Sequence, residues 1–110
     1  MLQKVIRKLN HLIFLISYKN KFRRFGTGSI INKPLRIECP ENIHIGKGVN
    51  IQYKSWIAAN SLTGYKAKLV IEDGCVIGNF NHIYATRSII FHKNVLTADK
   101  VYISDNLHGY

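Results

Sequence analysis

From Ile31 onward, aliphatic residues recur at intervals of six, and this period limits the fold more than any other feature of the chain. Ile31, Ile37 and Ile43 are six apart, and a step of two leads to Ile45, from which Ile51 and Ile57 again follow at six. After an interruption around Leu62 to Tyr65 the register returns at Leu69, steps by two to Ile71, and runs on through Ile77, Ile83 and Ile89. A further step of two gives Phe91, Thr97 and Ile103, with Thr97 the one polar member of the set. With apolar residues at 46% of the chain, random placement would rarely hold such a register over roughly 70 residues, so the pattern implies stacked, equivalent coils.

Each coil is expected to have three short flat faces, every face offering one inward aliphatic residue. Val49, Ser55, Cys75, Val95 and Val101, four places further on, fill a second inward site, and Gly46, Gly78 and Ala58 suit the crowded position after the aliphatic. Stacking then buries a continuous column and pairs backbone groups between coils. The expected fold is an all-β solenoid.

The segments Ile45-Gly46-Lys47-Gly48-Val49-Asn50 and Ile77-Gly78-Asn79-Phe80-Asn81-His82 resemble hexapeptide repeats. The resemblance spans roughly Ile31 to Tyr110 and implies that family's left-handed parallel β-helix. The chain then divides into a basic arm, residues 1–25, and a hexapeptide-repeat β-helix, residues 26–110.

The arm is an amphipathic α-helix in the making. Leu2, Val5, Ile6, Leu9, Leu12, Ile13 and Ile16 recur at spacings of three and four, which puts them on one face. The whole chain has 16 Lys+Arg against 6 Asp+Glu, a formal charge of +10, so its surface should attract anions, whether phosphates, acidic sugars, nucleic acid or anionic lipid. Seven of these cations, among them Lys4, Arg7, Lys8, Arg23 and Arg24, lie in the first 25 residues, where there is no acid. Such a helix can lie in a membrane interface. The commoner use of an apolar stripe is packing on the rest of the protein or on a neighbouring subunit. No nucleic-acid module follows Lys19–Arg24, so nucleic acid is not an expected partner.

The apolar run Leu12 to Ile16 is far shorter than the roughly 20 residues that cross a bilayer, and no small-residue cleavage site follows it. Cys39 and Cys75 lack the paired spacing of a zinc site or a disulfide framework, and no metal is expected. The expected location is cytoplasmic, with contact at the inner face of the membrane if the arm binds lipid.

The C-terminal segment Ile103-Ser104-Asp105-Asn106-Leu107-His108-Gly109-Tyr110 is similar to the segment of hexapeptide-family sugar O-acetyltransferases that ends in Ile-Ser-Asp-His-Asn-His-Gly-Tyr. The resemblance implies His108 as the catalytic base and acetyl-CoA as the donor. It also implies a sugar hydroxyl of a cell-surface polysaccharide or its glycolipid precursor as the acceptor, and a homotrimer with sites between subunits. The chemistry needs such a base, because a sugar hydroxyl attacks a thioester only as its proton is taken, and imidazole titrates near neutral pH. Asn106 and Leu107 stand where the family has His and Asn.

Asp105 is a candidate to orient the imidazole, or else a turn carboxylate. Asn79, Asn81 and His82 are candidates to face a sugar, or else turn residues. No residue is assigned to the donor, and His11, His44 and His92 match no motif. Family enzymes continue into further coils that supply most of the CoA pocket, so the chain is expected to be an N-terminal portion of such an enzyme. The alternative is a non-catalytic β-solenoid remnant that assembles or binds anionic partners.

Overall fold

A computed structural model describes residues 1–106, with residues 10–11 and 14–18 given through their backbone alone. His108 lies outside the described residues. Helix α1 spans Leu2–Tyr18, and the strands that follow pair only in parallel. A first sheet holds β1 (Arg24–Phe25), β4 (Ile43–Ile45), β7 (Lys68–Ile71) and β10 (Ser88–Phe91). A second holds β2 (Ile30–Ile31), β5 (Asn50–Ile51) and β8 (Val76–Ile77), extended by a bridge from Val76 to Leu96. The third holds β3 (Arg36–Glu38), β6 (Trp56–Ala59), β9 (His82–Ala85) and β11 (Tyr102–Ser104).

The chain visits the three sheets in rotation, which explains how such short strands pair in parallel. A parallel pair needs a crossover of a dozen or more residues, and here the crossover from one strand to its partner is the passage through the other two sheets. Arg24 pairs with His44, His44 with Val70 and Val70 with Ile90, so successive circuits take 20, 26 and 20 residues. The longer circuit contains residues 60–67, the interruption seen in the six-residue period.

The periodic residues form the core. Ile31, Ile43, Ile45, Ile51, Ile57, Leu69, Ile71, Ile77 and Ile83 are fully buried. In-register pairing sets Ile31, Ile51 and Ile77 above one another, and likewise Ile37, Ile57, Ile83 and Ile103. One expectation needs correction: a face does not always offer a single inward aliphatic residue. The two-residue steps lie within strands of the first sheet, where Ile43 and Ile45, or Leu69 and Ile71, point to the same side because alternate residues share a face. In the third sheet Ala59 and Ala85 take the second inward place beside Ile57 and Ile83.

The corners repeat as faithfully as the faces. Gly28, Gly48, Gly74 and Asn94 occupy one corner on successive circuits, and all have positive φ, the region that glycine and asparagine tolerate best. Ser29 Oγ donates to Gly46 O at 2.6 Å and accepts from Val49 N at 2.9 Å. Ser55 does the same one sheet on, donating to Gly78 O at 2.9 Å and accepting from Asn81 N at 3.3 Å. The buried Cys75 thiol stands in the Ser29 column and donates to His92 O at 3.0 Å. These small polar side chains stitch one circuit to the next.

Thr97 owes its place among aliphatic residues to Asn81. Its hydroxyl donates to Asn81 Oδ1 at 2.6 Å and accepts from Gly78 N at 2.9 Å, while Asn81 Nδ2 donates to Ala98 O at 2.7 Å. Asn81 is fully buried, so this pair satisfies polar groups that have no route to water. Each of Asn81→Leu and Thr97→Val is expected to cost about 2 kcal/mol. The double variant is expected to cost less than the sum by about 1 kcal/mol, because the pair is lost only once. Urea denaturation of the four proteins of this cycle checks it.

Phe22 and Phe25 close the first circuit, with ring centroids 5.4 Å apart and Phe22 buried in the core. The described side chains of the helix α1 stripe stay out of that core. Leu2, Val5, Ile6, Leu9, Leu12 and Ile13 are all exposed, by between 44% and 74%. For these six residues packing on the rest of the chain is not seen, which leaves a neighbouring subunit or a membrane interface as the expected use of the stripe. The helix rests on the body along one edge, where Gln3, Ile6 and Arg7 border a cleft with Asn32, Lys33 and Tyr53. Among the described residues no helix is long and apolar enough to cross a membrane.

Candidate functional site

The third corner, which joins the third sheet back to the first, leads towards the C-terminal motif. Asp105 follows β11 and turns its carboxylate onto the preceding circuit. Oδ1 accepts from Thr86 N at 2.7 Å and Thr86 Oγ1 at 3.1 Å, and Oδ2 accepts from Arg87 N at 2.9 Å and Ser88 N at 2.6 Å. Burial alone would raise its pKa, but the N–H groups of Thr86, Ser88 and Arg87 and the Thr86 hydroxyl outweigh it and hold the carboxyl below its usual value. Asp105 is thus occupied as a clamp on residues 86–88.

That turn in turn holds the longer corner, residues 60–67. Thr63 Oγ1 donates to Thr86 O at 3.4 Å, and the Arg87 guanidinium sits 4.0 Å from the centroid of the Tyr65 ring. Ser61 Oγ accepts from Ala67 N at 2.9 Å.

The remaining candidates do not converge on Asp105. Asn79 lies at the second corner, where its Oδ1 accepts from Tyr53 N at 2.9 Å and its backbone N donates to Asp99 Oδ1 at 2.8 Å. Asn81 points into the core, as described above, and its polar atoms are engaged there. Only His82 stands on an outer face.

His82 belongs to a ladder that in-register pairing builds on the outer side of the third sheet, Arg36, Trp56, His82 and Tyr102 in order. Its ring stacks on Trp56 at 4.0 Å between centroids and lies 4.8 Å from Tyr102. Nε2 is buried with no hydrogen-bond partner, and burial lowers the imidazole pKa, opposed in part by Glu38. Because the rings face one another along the ladder, they present their edges outward. This face therefore offers ring edges and polar groups to whatever approaches it.

Those polar groups form a cluster that the six-residue period did not single out. Glu38 Oε2 accepts from Trp56 Nε1 at 3.3 Å and from Asn60 Nδ2 at 3.2 Å, and Glu38 Oε1 pairs with Arg36 Nε at 2.8 Å. Asn60 also donates to Tyr84 Oη at 3.0 Å and accepts from the Cys39 thiol at 2.9 Å. Burial and the nearby Glu41 and Glu38 push that thiol up, so it is a poor nucleophile at neutral pH. The available signal was the one-residue offset from the aliphatic column, since a residue beside each inward isoleucine must point outward.

The Nε2 of His82 yields a test of its own. Since the folded pKa is lowered, the unfolded chain takes up the proton first, and stability falls as pH drops below about 6.5. His82→Phe keeps the stack and removes the unpaired nitrogen. It is expected to raise stability by about 1 kcal/mol at neutral pH and to reduce the loss between pH 7 and 5. Some loss stays, because burial and then Lys68, Arg23 and Arg24 lower His44 in the same way.

His44 lines a positive cleft of about 320 Å³ on the first sheet, with Arg23, Lys66, Lys68, Asn42 and Glu41. Three permanent cations against one carboxylate suit it to an anion. Among the described residues no group of three or more His, Cys, Asp or Glu side chains gathers as a metal site. Comparison with protein-family models, curated proteins and solved structures finds no match.

Proposed function

We propose that the chain is a left-handed parallel β-helix of hexapeptide repeats that takes part in CoA-dependent O-acetylation of a sugar hydroxyl, with His108 as the general base. The observation that carries this reading is the motif Ile103-Ser104-Asp105-Asn106-Leu107-His108-Gly109-Tyr110 arising from a repeat of matching register. Ile103 falls in the aliphatic column of the third sheet, two residues before Asp105. In this reading His108 removes the hydroxyl proton as the oxygen attacks the thioester carbonyl, and CoA leaves as the thiol. A backbone N–H steadies the oxyanion. The acceptor is a sugar of a surface polysaccharide or of its lipid-linked precursor, and the assembly is a homotrimer.

The experiment, on the chain carried through the further coils that the resemblance implies, is a thiol-release assay with acetyl-CoA and a panel of pyranosides, beside calorimetric titration of acetyl-CoA. Acceptor-dependent thiol release together with an acetylated product supports the reading. Absence of both saturable acetyl-CoA binding and thiol release overturns it.

One observation favours a second reading, a non-catalytic module for assembly or binding. Asn79, Asn81 and Asp105 all have their side chains committed to hydrogen bonds within the fold. Under this reading their variants alter stability, and His108→Ala alters nothing that can be measured.

A further inference from the structure

We propose that helix α1 docks on the surface of an anionic lipid bilayer, with its apolar stripe in the interface and its basic face against the headgroups. The inference is independent of the acyl-transfer reading.

The stripe is built for an apolar surface that its own chain does not provide. At about 100° per residue, Leu2, Val5, Ile6, Leu9, Leu12 and Ile13 fall within an arc of roughly 120°. All six are exposed. Lys4, Arg7 and Lys8 fall outside that arc and are exposed too, so the helix has an apolar side and a cationic side. Lys19, Arg23 and Arg24 extend the positive charge past its end.

Charge decides between a bilayer and a second copy of the chain. Residues 1–25 carry seven cations and no acid, so two stripes placed face to face would bring two basic flanks together. Nor does the body offer a net acidic surface to receive them, because residues 26–110 carry nine cations against six carboxylates, and five of those carboxylates are also hydrogen-bonded within the fold. Glu38 holds Arg36, Trp56 and Asn60, and Glu72 faces His92. Asp73 accepts from Lys47 N, Asp99 from Asn79 N and Asp105 from residues 86–88. An anionic membrane supplies both terms at once, an apolar interior for the stripe and phosphates for the lysines and arginines. At 17 residues and with charges throughout its first half, the helix lies along the interface rather than across it.

The test is co-flotation of the chain with vesicles of phosphatidylcholine alone or with one-third phosphatidylglycerol. Three proteins are compared: the unaltered chain, a Leu9→Asp/Ile13→Asp variant and a Lys4→Gln/Lys8→Gln variant. The substituted positions are exposed, so circular dichroism should show the same β content in all three. The expected result is binding to the anionic vesicles at least tenfold stronger than to the neutral ones. Each variant is expected to lower it by about tenfold or more, through the apolar term in one and the cations in the other.

Failure of the unaltered chain to float with anionic vesicles overturns the proposal. So does binding that survives Leu9→Asp/Ile13→Asp, since that is adsorption by charge without insertion. A multimer that falls to monomers in Leu9→Asp/Ile13→Asp, with no flotation of the parent, means that a second copy covers the stripe, and it overturns the proposal as well.

Discussion

Replacing His108 by alanine is expected to lower the rate of acetyl transfer by a factor of about 10²–10⁴, with acetyl-CoA affinity changed by less than roughly twofold. A sugar hydroxyl is a far weaker acid than imidazolium, so without a base the attack must expel a proton to water as the C–O bond forms. The cost falls on the transition state and leaves donor binding alone, which is why the effect should appear in kcat rather than in Kd. A second signature comes from pH. The rate of the unaltered protein should rise as the imidazole loses its proton, near pH 6.5 for an unperturbed histidine. His108→Ala should lack that limb, and His108→Gln, which keeps the size but cannot take up a proton, should lack it as well. Thiol-release kinetics between pH 5.5 and 8.5 measure both. A variant that keeps its rate within a few-fold, or keeps the pH limb, removes His108 from the role of base.

The parallel β arrangement was legible because a chain that passes the same three sheets must place an aliphatic residue at each inward position, and burial then enforces the spacing. Ile31, Ile51 and Ile77 stand above one another for that reason. The polar residues follow no such rule. Asn81 and Thr97 each look anomalous in an apolar register, and only their 2.6 Å hydrogen bond shows that they belong together. Asn79, Asn81 and His82 lie within four residues in sequence, yet a corner, an inward position and an outer face take them to three different surroundings. Parallel circuits of 20 and 26 residues bring Glu38, Asn60 and Tyr84 into contact across three coils, a proximity that no local spacing announces. The stripe of α1 was equally visible in sequence, but its period gives no information about what covers it.

Asp105→Ala is expected to destabilise the chain by about 3 kcal/mol and to release the turn at residues 86–88. Four donors converge on this carboxylate, but they are not equally dependent on it. Arg87 and Ser88 are exposed, so their N–H groups can turn to water. Thr86 is buried, and its N–H and hydroxyl lose their acceptor with nothing to replace it. Asp105→Asn should cost less, about 1–2 kcal/mol, since Oδ1 can still serve Thr86 while the amide NH₂ is set against the N–H groups of Arg87 and Ser88. The pH dependence follows from the lowered folded pKa. The stabilisation is complete above the unfolded carboxyl value, about 3.9, and is lost as pH falls through the lower folded value. The gap between the unaltered chain and Asp105→Ala should therefore be full at pH 7 and begin to close below about pH 4. Urea denaturation at pH 7 and pH 3 measures it. Hydrogen exchange gives the local counterpart, because Thr63 and Tyr65 rest on the same turn. Faster exchange across residues 60–67 in Asp105→Ala would show that the clamp organises the third corner over successive circuits, and unchanged stability and exchange would show that it does not.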